Sequence, residues 1–215
     1  MKPTSILIAS IFLVFSCKNA EQAPQEAKVA AASTTIPSTN KPAADSTSMQ
    51  QAWEAYTQPG EMHKMISSWN GTWSGDVIMW ETASAPPVKS NATITNKMVL
   101  GGRYQQSSFK GSYQGKSFEG ISTLAYDNSR KLFLSSWIDN MGTGIMNAEG
   151  PWDPASKSIT LRGTMTDPVT GKLLNTKEIF KPIDNNYQVM EMYVSGPDGK
   201  EFKTMEIKYT RKNQQ

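Results

Sequence analysis

The chain has 215 residues, of which 38% are hydrophobic and 19% charged, and its 22 basic and 19 acidic side chains leave a net charge of +3. This length suits one domain of ordinary size with a tail, and so small and scattered a basic excess argues against a nucleic-acid partner. The single cysteine, Cys17, excludes an intramolecular disulfide, and the single histidine, His63, excludes most clustered metal sites and most nucleophile–histidine pairs. We therefore predict no bound metal, no cofactor and no catalytic site.

Residues 1–17 have the pattern of an export signal. Lys2 precedes an apolar run over residues 6–15, which has the length of a signal core and is too short to span a bilayer. The run leads into residues 14–17, which resemble the lipobox of bacterial lipoproteins and end at Cys17, the residue that would carry the lipid. The alternative is a plain signal peptide with an incidental cysteine. A lysine follows Cys17 instead of the aspartate that commonly retains such proteins in the inner membrane, so we expect an outer-membrane anchor facing the periplasm or the surface.

Residues 18–47 have the composition of a disordered linker. They are rich in Ala, Ser, Thr, Pro and Gln and lack aromatic side chains, and Val29 and Ile36 are their only large aliphatics. Such a segment buries too little apolar area to offset its ordering entropy. About 30 flexible residues reach about 30 Å, so the folded domain, residues 48–215, would stand clear of the lipid head groups.

Two short helices are predicted before the strands begin. Ser48 and Gln51 have the spacing of a capping box that opens a helix over residues 49–56, and Pro59-Gly60 then breaks the chain. A second helix is predicted over residues 60–67 because apolar residues follow at helical spacing. These residues are Met62, Met65, Ile66 and Trp69.

From residue 69 onward the hydrophobic period changes to two, and turn-forming residues separate about ten segments of strand length. No long helix falls between them, which favours antiparallel pairing of sequential strands. We therefore predict an all-β fold, an antiparallel up-and-down barrel that leaves no free edge, with a two-sheet sandwich as the alternative. The predicted strands are 72–80, 91–100, 103–109, 117–126, 132–138, 144–149, 158–165, 173–181, 187–195 and 201–211.

Methionine is frequent on these strands, and its flexible thioether fills irregular space and tolerates varied ligands. A barrel of about ten strands is wide enough that side chains alone need not fill it. We accordingly predict a lining for a small apolar ligand, with an ordinary packed core as the alternative. The lining residues are predicted to be Met79, Met98, Arg103, Tyr126, Trp137 and Met192.

The remaining polar candidates favour structural roles. His63 lies in the second predicted helix without a second histidine or a neighbouring cysteine, so we expect a hydrogen-bonded, non-catalytic side chain. The loop aspartates are expected to cap turns instead of binding calcium, and these are Asp127, Asp153, Asp167 and Asp198. Four strand carboxylates are expected on solvated outer faces or in a buried pair with Arg103 or Lys177, and these are Glu119, Glu178, Glu191 and Glu206.

Several sequence blocks together resemble the domain-of-unknown-function 1579 family of bacterial proteins. The resemblance covers about residues 55–212 and supports a calycin-like barrel, but it carries no established activity. The blocks are Pro59–His63, Trp69–Trp73, Asn96–Tyr104, Phe118–Gly120, Tyr126–Asp127, Met141–Gly144, Tyr193–Glu201 and Met205–Ile207.

A second resemblance is to the calycins, the lipocalin and fatty-acid-binding barrels, which open with Gly-x-Trp on the first strand and end with a basic residue on the last. Gly71, Trp73 and Arg211 occupy those places. The resemblance implies that the Arg211 guanidinium stacks on the Trp73 indole and seals one end of the barrel.

Three functions compete on this basis. The first is an envelope lipoprotein whose barrel binds a small hydrophobic or amphipathic molecule. The second is a structural or interaction protein of the cell envelope with a side-chain-filled barrel, whose protein partners the sequence does not identify. The third, an enzyme, is disfavoured because no nucleophile–base pair, metal cluster or phosphate loop is present in the sequence.

Overall fold

The computed structural model describes residues 45–196 and 199–212. The predicted signal segment, Cys17 and the linker up to residue 44 lie outside these residues. Two helices come first, α1 (Ser46–Thr57) and α2 (Glu61–Ser68). The strands are β1 (Gly71–Met79), β2 (Val88–Val99), β3 (Tyr104–Tyr113), β4 (Lys116–Asp127), β5 (Leu132–Asp139), β6 (Met146–Gly150), β7 (Trp152–Asp153), β8 (Ser158–Thr166), β9 (Leu173–Pro182), β10 (Tyr187–Ser195) and β11 (Glu201–Arg211).

The capping residue of α1 is Asp45, so the predicted start of this helix at Ser48 is wrong. The Asp45 side chain accepts a hydrogen bond from the Ser48 N–H at 2.7 Å, and the Ser48 hydroxyl donates to the Asp45 carbonyl at 2.9 Å. Ser48 is therefore the third helical residue, because a carboxylate is an effective cap and also favours the positive helix N-terminus. At the other end of α1, the Asn128 amide donates to the carbonyls of Ala55, Tyr56 and Gln58.

Helix α2 covers one end of the barrel. Its apolar side buries Ile66 completely, and Trp69 follows directly after the helix with only 5% of its surface exposed. The Gln105 amide on β3 donates to the Ile66 carbonyl at 2.8 Å, and the Asn96 amide on β2 donates to the Trp69 carbonyl at 3.0 Å. These bonds satisfy carbonyls that the end of a short helix leaves without intrahelical partners. Neither α1 nor α2 is long and apolar enough to cross a bilayer.

The strands form a closed antiparallel barrel, as the sequence predicted. The order is β6-β5-β4-β3-β2-β1-β11-β10-β9-β8-β7, and an additional pairing of β6 with β8 closes a ring of ten strands with β7 as a short addition. Glycine permits this closure. A Cβ at Gly150 would lie 1.8 Å from the Thr160 carbonyl oxygen, and one at Gly163 would lie 2.1 Å from that of Asn147. The backbones of β6 and β8 could not approach as closely with any larger residue.

The strand register determines which side chains face the interior. Trp73 on β1 is fully buried and lies opposite Ile94 on β2, also buried, and alternate residues along each paired strand share this inward face. Near α2 the inward side chains form a dense core that includes Phe133, Ile159 and Leu161. The barrel is therefore closed and packed at the end that α2 covers.

Candidate functional site in the barrel interior

The packed end of the barrel is sealed by Arg211 at the end of β11. Its guanidinium carbon lies 4.1 Å from the centroid of the Trp73 ring, in the stacked geometry that the calycin resemblance implies. The same guanidinium donates to the carbonyls of Ser68, Asn70 and Asn185, so it joins α2, the first strand and the β9–β10 turn. Five donors in a planar fork make arginine suited to such a seal.

His63 belongs to this packed end and has a structural environment. Its side chain is 6% exposed, its Nδ1 accepts a hydrogen bond from the Gly60 N–H at 3.0 Å, and its ring packs edge-on against Tyr126. Burial lowers the pKa of His63, and the nearby Arg103 charge lowers it further, while a backbone hydrogen bond with Tyr126 opposes both. The imidazole therefore favours its neutral form, which accepts the bond that caps α2.

Beyond this core, some inward side chains are only partly buried. Along β4 and β5, Ser122 and Trp137 point inward and are half-buried, whereas Phe133, nearer α2, is completely buried. Residues that face a filled interior would be buried as Phe133 is. The interior beside β4 and β5 is therefore less densely filled away from α2, whereas Thr176 on β9 and Val194 on β10 stay buried.

One wall of this part of the interior is aromatic. The Trp137 indole lies across Gly120, where a Cβ would come within 2.4 Å of the ring. Phe109 packs edge-on against the indole with 4.9 Å between centroids, and Phe118 stacks on it at 6.2 Å with an interplanar angle of 17°. The indole Nε1 donates to Asp139 at 2.7 Å. Packing against the glycine and the bond to Asp139 hold the indole in one orientation, so it offers a fixed apolar face.

The wall across the ring is rich in methionine. Met192 on β10 lies opposite Met205 on β11, which in turn lies opposite Met79 on β1. All three are partly buried, and Met79 and Met205 pack against a second buried cluster that includes Trp73. Met190 lies one inward position nearer to α2. Flexible, polarisable thioethers opposite rigid aromatic rings form an interior that adapts to apolar ligands of differing shape.

The carboxyl group of Glu178 on β9 faces this largely apolar interior. Its cross-strand neighbours, Leu161 on β8 and Met192 on β10, are both apolar. Burial raises the pKa of Glu178 from 4.5 to about 7. The side chain remains partly accessible because the space beside it is the barrel interior. Among the described residues, Glu178 has no hydrogen-bond or ion-pair partner, which leaves its oxygens available to a ligand.

Further polar atoms on the same inward face also have no partner. Thr176 precedes Glu178 by two residues on β9, and its buried hydroxyl makes no hydrogen bond with any described residue. The same holds for the buried side-chain nitrogen of Gln188 on β10. Tyr209, which faces Gln188 from β11, has a raised pKa because of burial and because of the Glu178 charge. Buried polar groups normally find partners, so the unpaired Thr176 hydroxyl, two residues from Glu178, requires an explanation.

The rim of the barrel away from α2 exposes large apolar side chains on two neighbouring connections. Met141 and Ile145 lie between β5 and β6, and Val169 and Leu173 lie at the β8–β9 connection, with exposures from 52% to 89%. An apolar rim beside an apolar interior is typical of an entrance for hydrophobic molecules.

Two hollows on the outer surface of the barrel do not enclose the space that they border. One, of about 360 Å³, lies beside Trp80 and Lys203, and the other, of about 490 Å³, lies between α1 and the β4–β5 turn at Ser129. Both open broadly to solvent, whereas ligand sites usually bury most of their ligand. The interior of the barrel is therefore the better candidate site.

The six residues predicted to line a ligand site are divided between the two ends. Met79, Trp137 and Met192 face the interior away from α2. Met98 and Tyr126 pack against the core beneath α2. Arg103 precedes β3 in the β2–β3 turn, where its guanidinium donates to the Leu100 carbonyl at 3.2 Å.

The prediction that a buried strand carboxylate pairs with Arg103 or Lys177 is wrong. Lys177 faces outward, where it pairs with Glu201, and the inward carboxylate is Glu178, which is unpaired among the described residues. The other three strand glutamates lie on the outer wall. Glu119 approaches Lys110 at 3.9 Å, and Glu191 and Glu206 share Lys203.

The loop aspartates within the described residues cap turns, as predicted. Asp127 accepts from the backbone N–H groups of Ser129 and Arg130, Asp153 accepts from that of Ala155, and Asp167 accepts from that of Val169. Asp198 lies outside the described residues. In the part of the chain that the structure describes, no cluster of three or more His, Cys, Asp or Glu side chains could hold a metal ion.

The closed ring of strands and the stacked Arg211–Trp73 pair define a calycin-like barrel. A family model described as "Protein of unknown function (DUF1579)" matches residues 58–211. The chain belongs to this family. No curated protein matches it.

Two solved structures have similar folds. The crystal structure of Rv2717c from M. tuberculosis aligns with a TM-score of 0.55 and 11% identity, covering 73% of this chain and 100% of that one. The S-type phycobiliprotein lyase CPES from Guillardia theta aligns with a TM-score of 0.51 and 11% identity, covering 72% and 94%. At these identities the likeness extends to the fold alone.

Proposed function

We propose that this protein is a binding module that holds a small hydrophobic or amphipathic molecule in the part of its barrel away from α2. The observation that carries the proposal is the partial accessibility of side chains that point inward on β4 and β5, such as Ser122 and Trp137, beside a packed core. The apolar rim and the unpaired polar groups around Glu178 add to its support. The likeness to a phycobiliprotein lyase is compatible with a ligand-holding barrel.

The test is to fill the interior and ask whether binding is lost. Ser122 points inward on β4 between Ser107 and Trp137, and its neighbour Thr123 points outward. The neutral apolar dye N-phenyl-1-naphthylamine should become fluorescent on binding to the full chain. Ser122→Phe should abolish this signal, whereas the matched Thr123→Phe should retain it. Equal signals from both variants, or no signal from the unaltered protein, would refute interior binding.

The alternative of a side-chain-filled structural barrel makes the opposite prediction for the same variant. In a filled interior, an added phenyl ring would overpack the core and cost about 1–3 kcal/mol. In an open interior, Ser122→Phe should leave the free energy of unfolding close to that of Thr123→Phe. Urea unfolding of the two variants therefore separates the two functions independently of any ligand.

We further propose that the domain is anchored in the cell envelope through a lipid on Cys17. The lipobox-like sequence ending at the only cysteine supports this placement. Two or three acyl chains give stable anchoring, whereas a single chain would be marginal. Cys17→Ser should move the protein from the membrane fraction to the soluble fraction, and unchanged fractionation would contradict lipidation.

We also propose that the barrel binds its ligand without transforming it. Acid–base chemistry by paired carboxylates needs two of them near one bond. Glu178 is the strand glutamate that faces inward, whereas Glu119, Glu191 and Glu206 lie on the outer wall. The inward Asp139 on β5 already accepts a hydrogen bond from the Trp137 indole. A molecule extracted from the purified protein should therefore be recovered unchanged after prolonged incubation, as measured by mass spectrometry.

A further inference from the structure

Glu178 gives the barrel interior a chemical preference that its apolar walls do not have. It occupies an inward position on β9 at the level of Leu161, which belongs to the buried core, and of Met192. Its inward neighbours along the same strand are Thr176 and Phe180. No lysine, arginine or histidine lies at these four positions, so no basic group there neutralises the carboxyl group.

Two further polar groups belong to the surroundings of Glu178, the Thr176 hydroxyl and the Tyr209 phenol. The Thr176 hydroxyl has no partner among the described residues, and Thr176 and Glu178 lie two residues apart on one face, a separation of about 7 Å. Tyr209 on β11 interacts electrostatically with Glu178. An ammonium group carries three donors and no acceptor, so a carboxylate and two hydroxyl oxygens match it. A carboxylate ligand would instead meet Glu178 as a like charge.

The surrounding walls favour an organic cation for a second reason. The Trp137 ring is held flat against Gly120, and the methionines of β10 and β11 lie across the ring of strands. Aromatic faces attract cations, and thioethers are polarisable. An alkyl or aryl chain attached to the cation would occupy the apolar space leading toward Ile145 and Val169 at the rim.

We propose that the barrel binds amphipathic amines, with the protonated nitrogen held by Glu178 and the apolar body lying between the Trp137 face and the methionine wall. This inference rests on the proposed ligand-binding function and specifies its ligand class. A charge-assisted hydrogen bond in place of a neutral one contributes about 1.5–3 kcal/mol, which corresponds to an affinity preference of roughly 10- to 100-fold.

The test uses three probes that differ only in their head group: octylamine, 1-octanol and octanoate. Each is titrated at pH 8.5 against the full chain carrying bound N-phenyl-1-naphthylamine, and displacement is measured. Octylamine should bind roughly 10- to 100-fold more tightly than 1-octanol, and octanoate should bind most weakly. Glu178→Gln should remove the preference for the amine while leaving 1-octanol binding unchanged. The control Glu119→Gln, on the exposed outer face, should retain it.

The pH dependence of octylamine affinity provides a second readout. Binding driven only by burial of apolar surface would not depend on pH over this range. Octylamine stays protonated below pH 9, since alkylamines resemble lysine in pKa. The titratable group that faces Glu178 from β11 is Tyr209, and the β8 and β10 neighbours, Leu161 and Met192, carry no charge. Octylamine affinity should therefore fall by roughly 30-fold between pH 8.5 and pH 5.5, as Glu178 takes up its proton. In Glu178→Gln it should stay constant.

The outcomes separate this inference from the proposed function. If the three probes displace the dye with equal affinity, or if Glu178→Gln keeps the amine preference, the amine inference is overturned and the binding barrel stands. If octanoate binds best, the inference is likewise overturned. If the dye does not bind the unaltered protein, both the amine inference and the proposed binding function are overturned.

Discussion

Replacing Glu178 with glutamine should stabilise the protein, and only above mildly acidic pH. The folded-state pKa is raised from 4.5 to about 7, and each unit corresponds to about 1.4 kcal/mol. The folded form therefore holds the proton more tightly than the unfolded chain does. Below pH 4.5 both states are protonated and burial costs little. As the pH rises to 7 the unfolded chain ionises first, so stability falls, and above pH 7 the full cost is present.

Glutamine has nearly the shape of protonated glutamate and stays neutral at every pH. Glu178→Gln should therefore match the unaltered protein at pH 4 and exceed it by up to about 3 kcal/mol at pH 8.5. For a domain of this size the melting temperature at pH 8.5 should rise by up to about 10 °C. The measurement is urea unfolding followed by tryptophan fluorescence at both pH values.

The matched control is Glu119→Gln, a strand carboxylate on the exposed outer face. It should change stability by less than about 0.5 kcal/mol at either pH. If Glu178→Gln gives the same difference at pH 4 and pH 8.5, or destabilises the protein at pH 8.5, the carboxyl group is not a buried, unpaired acid. The electrostatic account of the interior would then be wrong.

Three structural predictions complete the set. Arg211→Ala removes the stacking on Trp73 and three carbonyl contacts, and thermal unfolding should show a loss of about 2–4 kcal/mol, whereas a smaller loss would mean that the seal is dispensable. Gly120→Ala should displace the Trp137 indole and cost about 1–3 kcal/mol, with a changed near-ultraviolet circular dichroism signal, and an unchanged signal would contradict the packing. Asn128→Ala should speed hydrogen exchange in α1 without lowering the melting temperature of the barrel, and unchanged exchange would show that these three carbonyl contacts do not hold the helix.

The strands were predictable because their signals are local. The ranges of β10 and β11 were predicted to the residue and most of the others to within a few residues, whereas the two-residue strand β7 was not predicted. Period-two alternation and turn-forming residues act over a few positions, so they are readable without the tertiary structure. Gly101 and Gly102 illustrate this, since both adopt positive φ in the turn between β2 and β3.

The start of α1 shows where local reasoning fails even for a helix. Ser48 and Gln51 fit the capping-box spacing, but Asp45 three residues earlier is also a good capping residue. Two overlapping capping patterns are both compatible with the sequence. The structure uses the earlier one because the Ser48 N–H lies within reach of the Asp45 carboxylate.

The candidate site depends on which face of β9 points inward, and the sequence of β9 does not show this. Leu173, Leu174, Ile179 and Phe180 place apolar residues on both faces of this strand. Alternation therefore does not indicate which face is inward, and Glu178 could equally have been a surface carboxylate. Pairing with β8 and β10 decides the matter, because the face opposite Leu161 must point to the interior.

The sequence alone determined the all-β antiparallel architecture and the turns, since each depends on residue types at fixed local spacing, and the resemblance to calycins implied the stacked pair of Arg211 and Trp73. Only the tertiary structure decided which part of the barrel interior is densely filled and which strand glutamate faces it. Both depend on how ten strands align around a ring, where a shift of one residue exchanges the inner and outer faces. That alignment is a property of the closed barrel as a whole, and no single strand carries it.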